Sequence, residues 1–264
     1  MPKKLATCPK CHFDNPMPVA TCQRCGLIFA KFHPRPDSEP ELIVDEAEGE
    51  GEREESTLNW KSISFWKKLL LAPPPQDNLL YRSGRSLVLL GMLVWGLRLA
   101  FASIESNAAG DSLLHLINLP FHEAGHLVFR PFGQFISSLG GTLLQLLVPL
   151  ICMSALLLKN RDTFGAAVCL WWFGENFLDI APYINDAQAG VLPLLGGNTG
   201  QSAPYGFHDW EFLLTETGLL KHDQTIAKLA HGSGSLLLIL AILWGGWLLL
   251  QQWRGAGANP SDGL

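Results

Sequence analysis

The polarity of the chain changes sharply along its length. Residues 1–57 are polar, and apolar runs dominate from there on. In LNWKSISFWKKLLL, Leu58 to Leu71, the residues Trp60, Ile63, Trp66 and Leu70 recur at helical spacing beside Lys61, Lys67 and Lys68. An apolar stripe flanked by lysines predicts a helix lying on a membrane surface. Pro73, Pro74 and Pro75 end it, because proline cannot continue a helix. Five longer apolar segments follow: Ser86–Ile104, Asp111–Phe129, Phe135–Leu158, Thr163–Ile184 and Gly234–Leu250. A bilayer core takes about 20 apolar residues, so these predict about five transmembrane helices. A polar, glycine-rich connection, Leu194 to Tyr205, and a short amphipathic stretch, Trp210–Leu220, precede the last. No strand-rich region and no repeat is evident. The expected fold class is mainly α, a polytopic membrane helix bundle.

Cysteine spacing adds a second, separate unit. Cys8 and Cys11 form one C-x2-C pair, and Cys22 and Cys25 form another. Two such knuckles predict a tetrahedral four-thiolate zinc site, and residues 1–33 resemble a small zinc ribbon. The piece has almost no core of its own, so metal binding must supply most of its folding free energy. Thiolate ligands need a reducing compartment, which places this end in the cytosol. Residues 34–57 are rich in Asp, Glu, Pro and Gly without apolar period, and predict an extended acidic tether. The expected domains are therefore a ribbon (1–33), an acidic linker (34–57), an interfacial helix and loop (58–85) and a membrane domain (86–264).

Charge narrows the partners only slightly. The net charge is −5, but ten of the 24 acidic residues lie between Asp37 and Glu55, so the rest of the chain is not acidic. No global basic excess marks a nucleic-acid binder. The ribbon's Lys3, Lys4, Lys10, Arg24 and Lys31 decide nothing, and a protein partner or substrate is the expectation for it. Charged residues make up only 16% of the chain, against roughly 25% in soluble proteins. No secretory leader is expected, since the first run long enough begins near Leu87. Lys61, Lys67, Lys68, Arg82 and Arg85 precede the first long segment, and Glu105 and Asp111 follow it. The positive-inside rule therefore predicts a cytosolic N-terminus in a bacterial-type inner membrane, in agreement with the cysteines.

The chemistry lies in FHEAGHLVF, Phe121 to Phe129. On a helix, His122 and His126 are four apart and share a face, so both imidazoles reach one metal ion. Glu123 projects beside them, placed to accept a proton from water at that ion. Ionisable groups at bilayer depth are expensive and usually functional, which sets this cluster apart from a packing group. Pro120 suits the first turn of such a helix, or breaks Asp111–Leu119 away as a separate turn. His115, seven before His122, falls on the same stripe. Cys152 and Cys169 read as packing residues, and His222 and His231 as solvated ones in a polar linker. Arg98 reads as snorkelling or pairing with a carboxylate.

HEAGH in a hydrophobic helix, with a later Asp-bearing helix, resembles the site-2-protease class of intramembrane zinc metalloproteases. Gly140–Gly141 followed by TLLQLLVPL is similar to the small residues and helix that follow the zinc helix in that class. The resemblance spans roughly Asp111 to Ile184. It implies His122 and His126 as zinc ligands and Glu123 as general base. That class also carries Asn-x-x-Pro and then Leu-Asp-Gly, whereas this chain has GENFLDIAPYINDA, Gly174 to Ala187. Asn176, Asp179 and Pro182 are the same residue types at altered spacing. Asp179, in Leu-Asp-Ile, is the first choice for the third ligand. His208, with Asp209 orienting its ring, Asp186 and Glu175 remain open beside it; Glu175 and Asp186 also suit pairing with Arg98 or with a helix end.

The implied function is proteolysis of a membrane-spanning or membrane-proximal peptide segment, with one catalytic Zn2+ in the membrane domain and one structural Zn2+ in the ribbon. A non-proteolytic scaffold and a metal carrier are the alternatives. A protease requires Glu123, which a scaffold or carrier can lose. The topology has a direct test: a periplasmic reporter fused after Lys31 stays silent, and strong activity there would reverse the orientation.

Overall fold

The structure, a computed structural model, describes residues 5–8, 14–16, 20–23, 25, 27–29, 63–74 and 78–258. Cys11, the acidic linker 34–57, Trp60, Lys61 and Pro75 lie outside the described residues. The chain divides into two units, Met1–Glu55 and Ser56–Leu264.

In the first unit, β1 (Leu5–Thr7) pairs antiparallel with β2 (Asp14–Pro16), Ala6 opposite Asn15. A second short pairing joins Thr21 to Ile28, with Cys22 N–H donating to Leu27 O at 2.8 Å. These turns bring Cys8, Cys22 and Cys25 together, with Cys8 and Cys22 buried. Cys8 Sγ and Cys25 Sγ are 3.6 Å apart. A disulfide requires about 2.05 Å, whereas thiolates about 2.3 Å from a tetrahedral zinc stand about 3.8 Å apart. The three described sulfurs therefore suit a metal and not a disulfide.

The second unit is helical. Its elements are α1 (Ile63–Leu71), α2 (Leu79–Phe101), α3 (Leu113–Phe129), α4 (Gln134–Ala155, continued by a π turn to Asn160), α5 (Thr163–Asn185), α6 (Asp209–Glu216) and α7 (Asp223–Ala258). Side-chain caps set several starts. Asn78 accepts from Tyr81 N–H, Ser112 from Leu114 N–H, and Asp162 from Gly165 N–H, each satisfying a donor the first turn leaves orphaned. α1 is tied to the bundle through its last turn. Trp244 Nε1 donates to Leu70 O at 2.7 Å and Thr163 Oγ1 to Ala72 O at 2.8 Å.

α5 is the central helix. It packs on α7, α4 and α2 and is buried over most of its length. α2 and α7 instead expose rows of large apolar side chains, among them Leu80, Leu87, Val94, Leu236, Leu243 and Leu250. Such faces have no favourable solvent in water and a natural one in lipid. Among the described residues, three helical stretches are long and apolar enough to cross a membrane: Leu79–Phe101, Gln134–Asn160 and Leu220–Gly255. Five were expected from the sequence. Asp111–Phe129 and Thr163–Ile184 do form helices, but α3 has only 17 residues, and α5 carries Glu175 and Asp179 inside the bundle.

Three local expectations change. Pro120 lies inside α3, which runs unbroken from Leu113; the cost is one lost backbone bond to Leu116 O. The polar stretch before Gly234 is the start of α7, so His231 is helical. Arg98 is exposed on α2 and pairs with neither Glu175 nor Asp186, whose partners are described below.

α5 and α7 meet through two glycines. A Cβ on Gly234 would stand 2.6 Å from Gly174 O and 2.9 Å from Phe177 Cβ, and backbone cannot yield to it. Gly234→Val is therefore expected to lower stability by about 1–3 kcal/mol, the usual cost of overpacking. Gly232→Val, on the same helix with nothing within 4 Å of its Cβ, is the control. Thermal unfolding in detergent measures the difference.

Candidate metal centre

α3 and α4 approach closely enough that side chains would not fit between them. A Cβ on Gly125 would collide with Gly140 O, and one on Gly140 would meet Phe129 Cβ at 2.7 Å. This contact turns the His face of α3 onto α4. A Cβ on Gly141 would stand 2.7 Å from His122 Nε2 and 2.8 Å from His126 Cε1. The glycine pair thus leaves room for both imidazoles.

The rings of His122 and His126 lie 4.8 Å apart, nearly perpendicular at 78°. Each is held through Nδ1. His122 Nδ1 is 3.1 Å from Gln145 Oε1, and His126 Nδ1 is 2.9 Å from Ser137 O. Both partners are oxygens that only accept, so both Nδ1 atoms carry the proton. The Gln145 amide is oriented independently, because its Nε2 donates to Asp179 Oδ2 at 2.9 Å. In their neutral form His122 and His126 would therefore present Nε2 lone pairs to the same point, the arrangement in which metal-bound histidines are held. One ligand atom from each of His122, Glu123 and His126 lies within 4.8 Å of the others, with Glu123 exposed.

A fourth residue joins them. Asp209 Oδ2 is 3.2 Å from His122 Nε2 and 3.3 Å from His126 Nε2. Tyr183 holds Asp209 twice: its hydroxyl accepts from Asp209 N–H at 2.9 Å and lies 3.4 Å from Asp209 Oδ2 as donor. Burial alone would raise the Asp209 carboxyl, but the two imidazoles, which donate to it when protonated on Nε2, prevail and keep it below the usual carboxylate range.

Asp179, the expected third ligand, is engaged elsewhere. Its Oδ1 is 2.9 Å from His115 Nδ1, and its Oδ2 accepts from Asn118 at 3.1 Å and from Gln145 at 2.9 Å. Its connection to His122 runs through Gln145. Asn118 also donates to Glu175 Oε2 at 2.9 Å and accepts from Trp172 Nε1 at 2.8 Å. Glu175 is fully buried with its Oε1 unpartnered. Asp186 accepts from the N–H groups of Val191 and Leu192, both at 2.9 Å.

His208 does not reach the His pair. Its Nδ1 caps α6 by accepting from Glu211 N–H, its ring stacks on Tyr183 at 4.3 Å, and its Nε2 lies 3.5 Å from Asp186 Oδ2. Burial pushes its pKa down, which suits a neutral ring with the proton on Nε2. The expected roles are thus reversed, since Asp209 approaches the pair and His208 stands behind. Gln145, Ser137, Asn118 and Tyr183 were not foreseen as site residues. Gln145 and Asn118, polar groups inside apolar runs, were the readable signal.

The site opens on a cavity of about 650 Å³ lined by His115, Glu123, His126, Arg130, Tyr183 and Leu194, among others. No protein-family model, curated protein or solved structure matches this chain. The geometry itself is tested at Gly141: Gly141→Ala places a methyl group against both imidazoles, and metal binding at the His pair should be lost while the cysteine unit keeps its metal. Metal per purified chain, read beside Gly91→Ala on α2, where a Cβ meets nothing within 4 Å, decides it.

Proposed function

We propose that this chain is a membrane-embedded zinc metalloprotease that hydrolyses a peptide bond in a membrane-spanning or membrane-proximal segment. The observation that supports the reading is the pair of imidazoles of His122 and His126, each held through Nδ1, with Glu123 beside them, on a cavity of about 650 Å³ within an apolar helical unit. The resemblance of HEAGH and Gly140–Gly141 to the site-2-protease class favours the same chemistry. The donor set, imidazole nitrogens with carboxylate oxygen, suits zinc.

A zinc ion held by His122 and His126 supplies Lewis acidity toward a carbonyl and toward water. Glu123 accepts the proton of the attacking water on its carboxylate and then delivers it to the leaving amine nitrogen. Gln145 and Ser137 keep both imidazoles in one tautomer and one orientation. The apolar surroundings limit bulk water, which strengthens each of these polar contacts. The cavity admits an extended segment, so a helical substrate must unwind locally to present its peptide bond.

The first unit completes the reading. Cys8, Cys22 and Cys25, with Cys11 as the fourth, form a structural zinc site in a cytosolic ribbon that recruits a protein partner or the substrate. The second unit crosses a bacterial-type inner membrane with its N-terminal side in the cytosol.

Glu123→Gln separates this reading from a scaffold or a metal carrier. The substitution keeps size and hydrogen bonding but cannot accept the water's proton. It should retain metal at the His pair and slow cleavage of a fluorogenic transmembrane peptide in micelles by about 10²–10⁴-fold. His126→Ala should lose the metal as well. A parent chain that binds metal but cleaves no such peptide, or a Glu123→Gln chain as active as its parent, would remove the protease reading.

A further inference from the structure

We propose that Asp209, delivered by the segment that begins α6, is the third protein ligand of the metal centre, and that Asp179 is a positioning residue behind His122. The proposal rests on the metal-centre reading above and departs from the motif that suggested it. There, the acidic ligand belongs to the Leu-Asp dipeptide of the later helix.

Three observations carry the assignment. The first is distance. Donor atoms about 2.1 Å from a tetrahedral zinc stand about 3.4 Å from one another. Asp209 Oδ2 is 3.2 and 3.3 Å from the two Nε2 atoms, the edge lengths of such a tetrahedron.

The second is the direction of lone pairs. The proton on His122 Nδ1 points to Gln145 Oε1 and that on His126 Nδ1 to Ser137 O. When the rings are neutral, both Nε2 lone pairs therefore face a carboxylate oxygen that also carries lone pairs. Three acceptors converging on one point then repel unless a cation, a metal ion or a proton, lies between them. No Lys or Arg side chain is paired with Asp209 among the described residues; its partners are His122, His126 and Tyr183.

The third is the occupation of Asp179. Its two oxygens accept from Asn118 and Gln145 and meet His115 Nδ1. Ligation would require at least one of these bonds to break inside the bundle, where an unpaired polar group costs about 1–3 kcal/mol. Left in place, Asp179 fixes the Gln145 amide, and Gln145 fixes the His122 tautomer. Outer partners of this kind tune a metal ligand without touching the metal.

The segment between α5 and α6 is built to hold Asp209 in place. Asp186, at the end of α5, accepts from Val191 and Leu192 N–H and faces His208 Nε2. Gln201 N–H donates to Gly190 O at 2.9 Å, closing the same segment lower down. His208 then caps α6 one residue before the ligand. Tyr183 completes the clamp from α5.

The experiment is a cobalt(II) titration of the full chain. Thiolate-to-cobalt charge-transfer bands report the cysteine unit, and the visible ligand-field bands of a nitrogen- and oxygen-ligated ion report the His pair. Asp209→Asn should lose the second set of bands and keep the first, and thermal unfolding in detergent like that of the parent verifies that its helical unit has folded. Asp179→Asn should keep both sets, with affinity at the His pair weakened by no more than the about 10–100-fold typical of outer-shell changes. Asp209→Glu retains a carboxylate at a shifted position, so it should bind cobalt with displaced visible bands; Asp179→Glu should leave their positions unchanged. Normal binding by Asp209→Asn with loss in Asp179→Asn would overturn the assignment, as would equal losses in both. A parent chain without the ligand-field bands would instead overturn the metal-centre reading itself.

Discussion

The backbone contact between α3 and α4 is the constraint on which the rest of the site depends. Gly125 and Gly140 allow the two helices to meet without side chains between them, and Gly141 leaves the volume that both imidazoles occupy. Without that approach, Gln145 and Ser137 on α4 would not reach Nδ1 of His122 and His126. The rings would then be free in tautomer and rotation, and a shared metal would have to order them at its own cost. Small residues let helices approach closely where lipid gives no hydrophobic drive for association. Here the same device also shapes a polar site.

That site lies above a polar network in the middle of an apolar bundle. From His122 it runs through Gln145 to Asp179, then to His115 and Asn118, and on to Glu175 and Trp172. Each member satisfies another, which is how buried polar groups are tolerated when water is excluded. The exception is Glu175 Oε1, buried without a partner. An apolar residue in place of Asp179 would therefore leave Gln145, Asn118 and His115 each short of an acceptor. The network favours one geometry because every alternative strands several groups at once.

How much of this was legible depended on sequence distance. The two histidines and Glu123 share one helix, so a five-residue pattern sufficed to place them. The cysteine pairs were readable for the same reason. Asp179 was readable as a polar residue with work to do inside an apolar helix, but not in its role, because its partners lie 34 to 64 residues away on other helices. Asp209 meets His122 across 87 residues, and no periodicity encodes such a pairing. The helical bundle followed from the apolar runs, and three of the five expected spans stand out among the described residues by length and composition. A run such as Thr163–Ile184 has the length to cross a bilayer, yet α5 uses its apolar surface against α7, α4 and α2. The polar start of α7 read as linker because composition does not register the backbone contact of Gly234 with Gly174 that helps to dock it.

The two halves of the centre also differ in how they are held, and that difference follows from chain order. His122, His126 and Gln145 sit on helices whose backbone bonds are internal, so their positions depend on helix packing alone. Asp209 follows a connection of more than twenty residues between α5 and α6, and an open loop of that length would leave its carboxylate poorly placed. The contacts of Asp186 with Val191, Leu192 and His208 shorten the effective connection to its two ends. The stacking of His208 on Tyr183 then aligns the first turn of α6 with α5. Asp186 and His208, both weighed as ligands on chemistry alone, fit the structure better as the pair that converts a long connection into a rigid support. A buried polar pair behind a candidate metal centre need not touch the metal to hold its ligands in place.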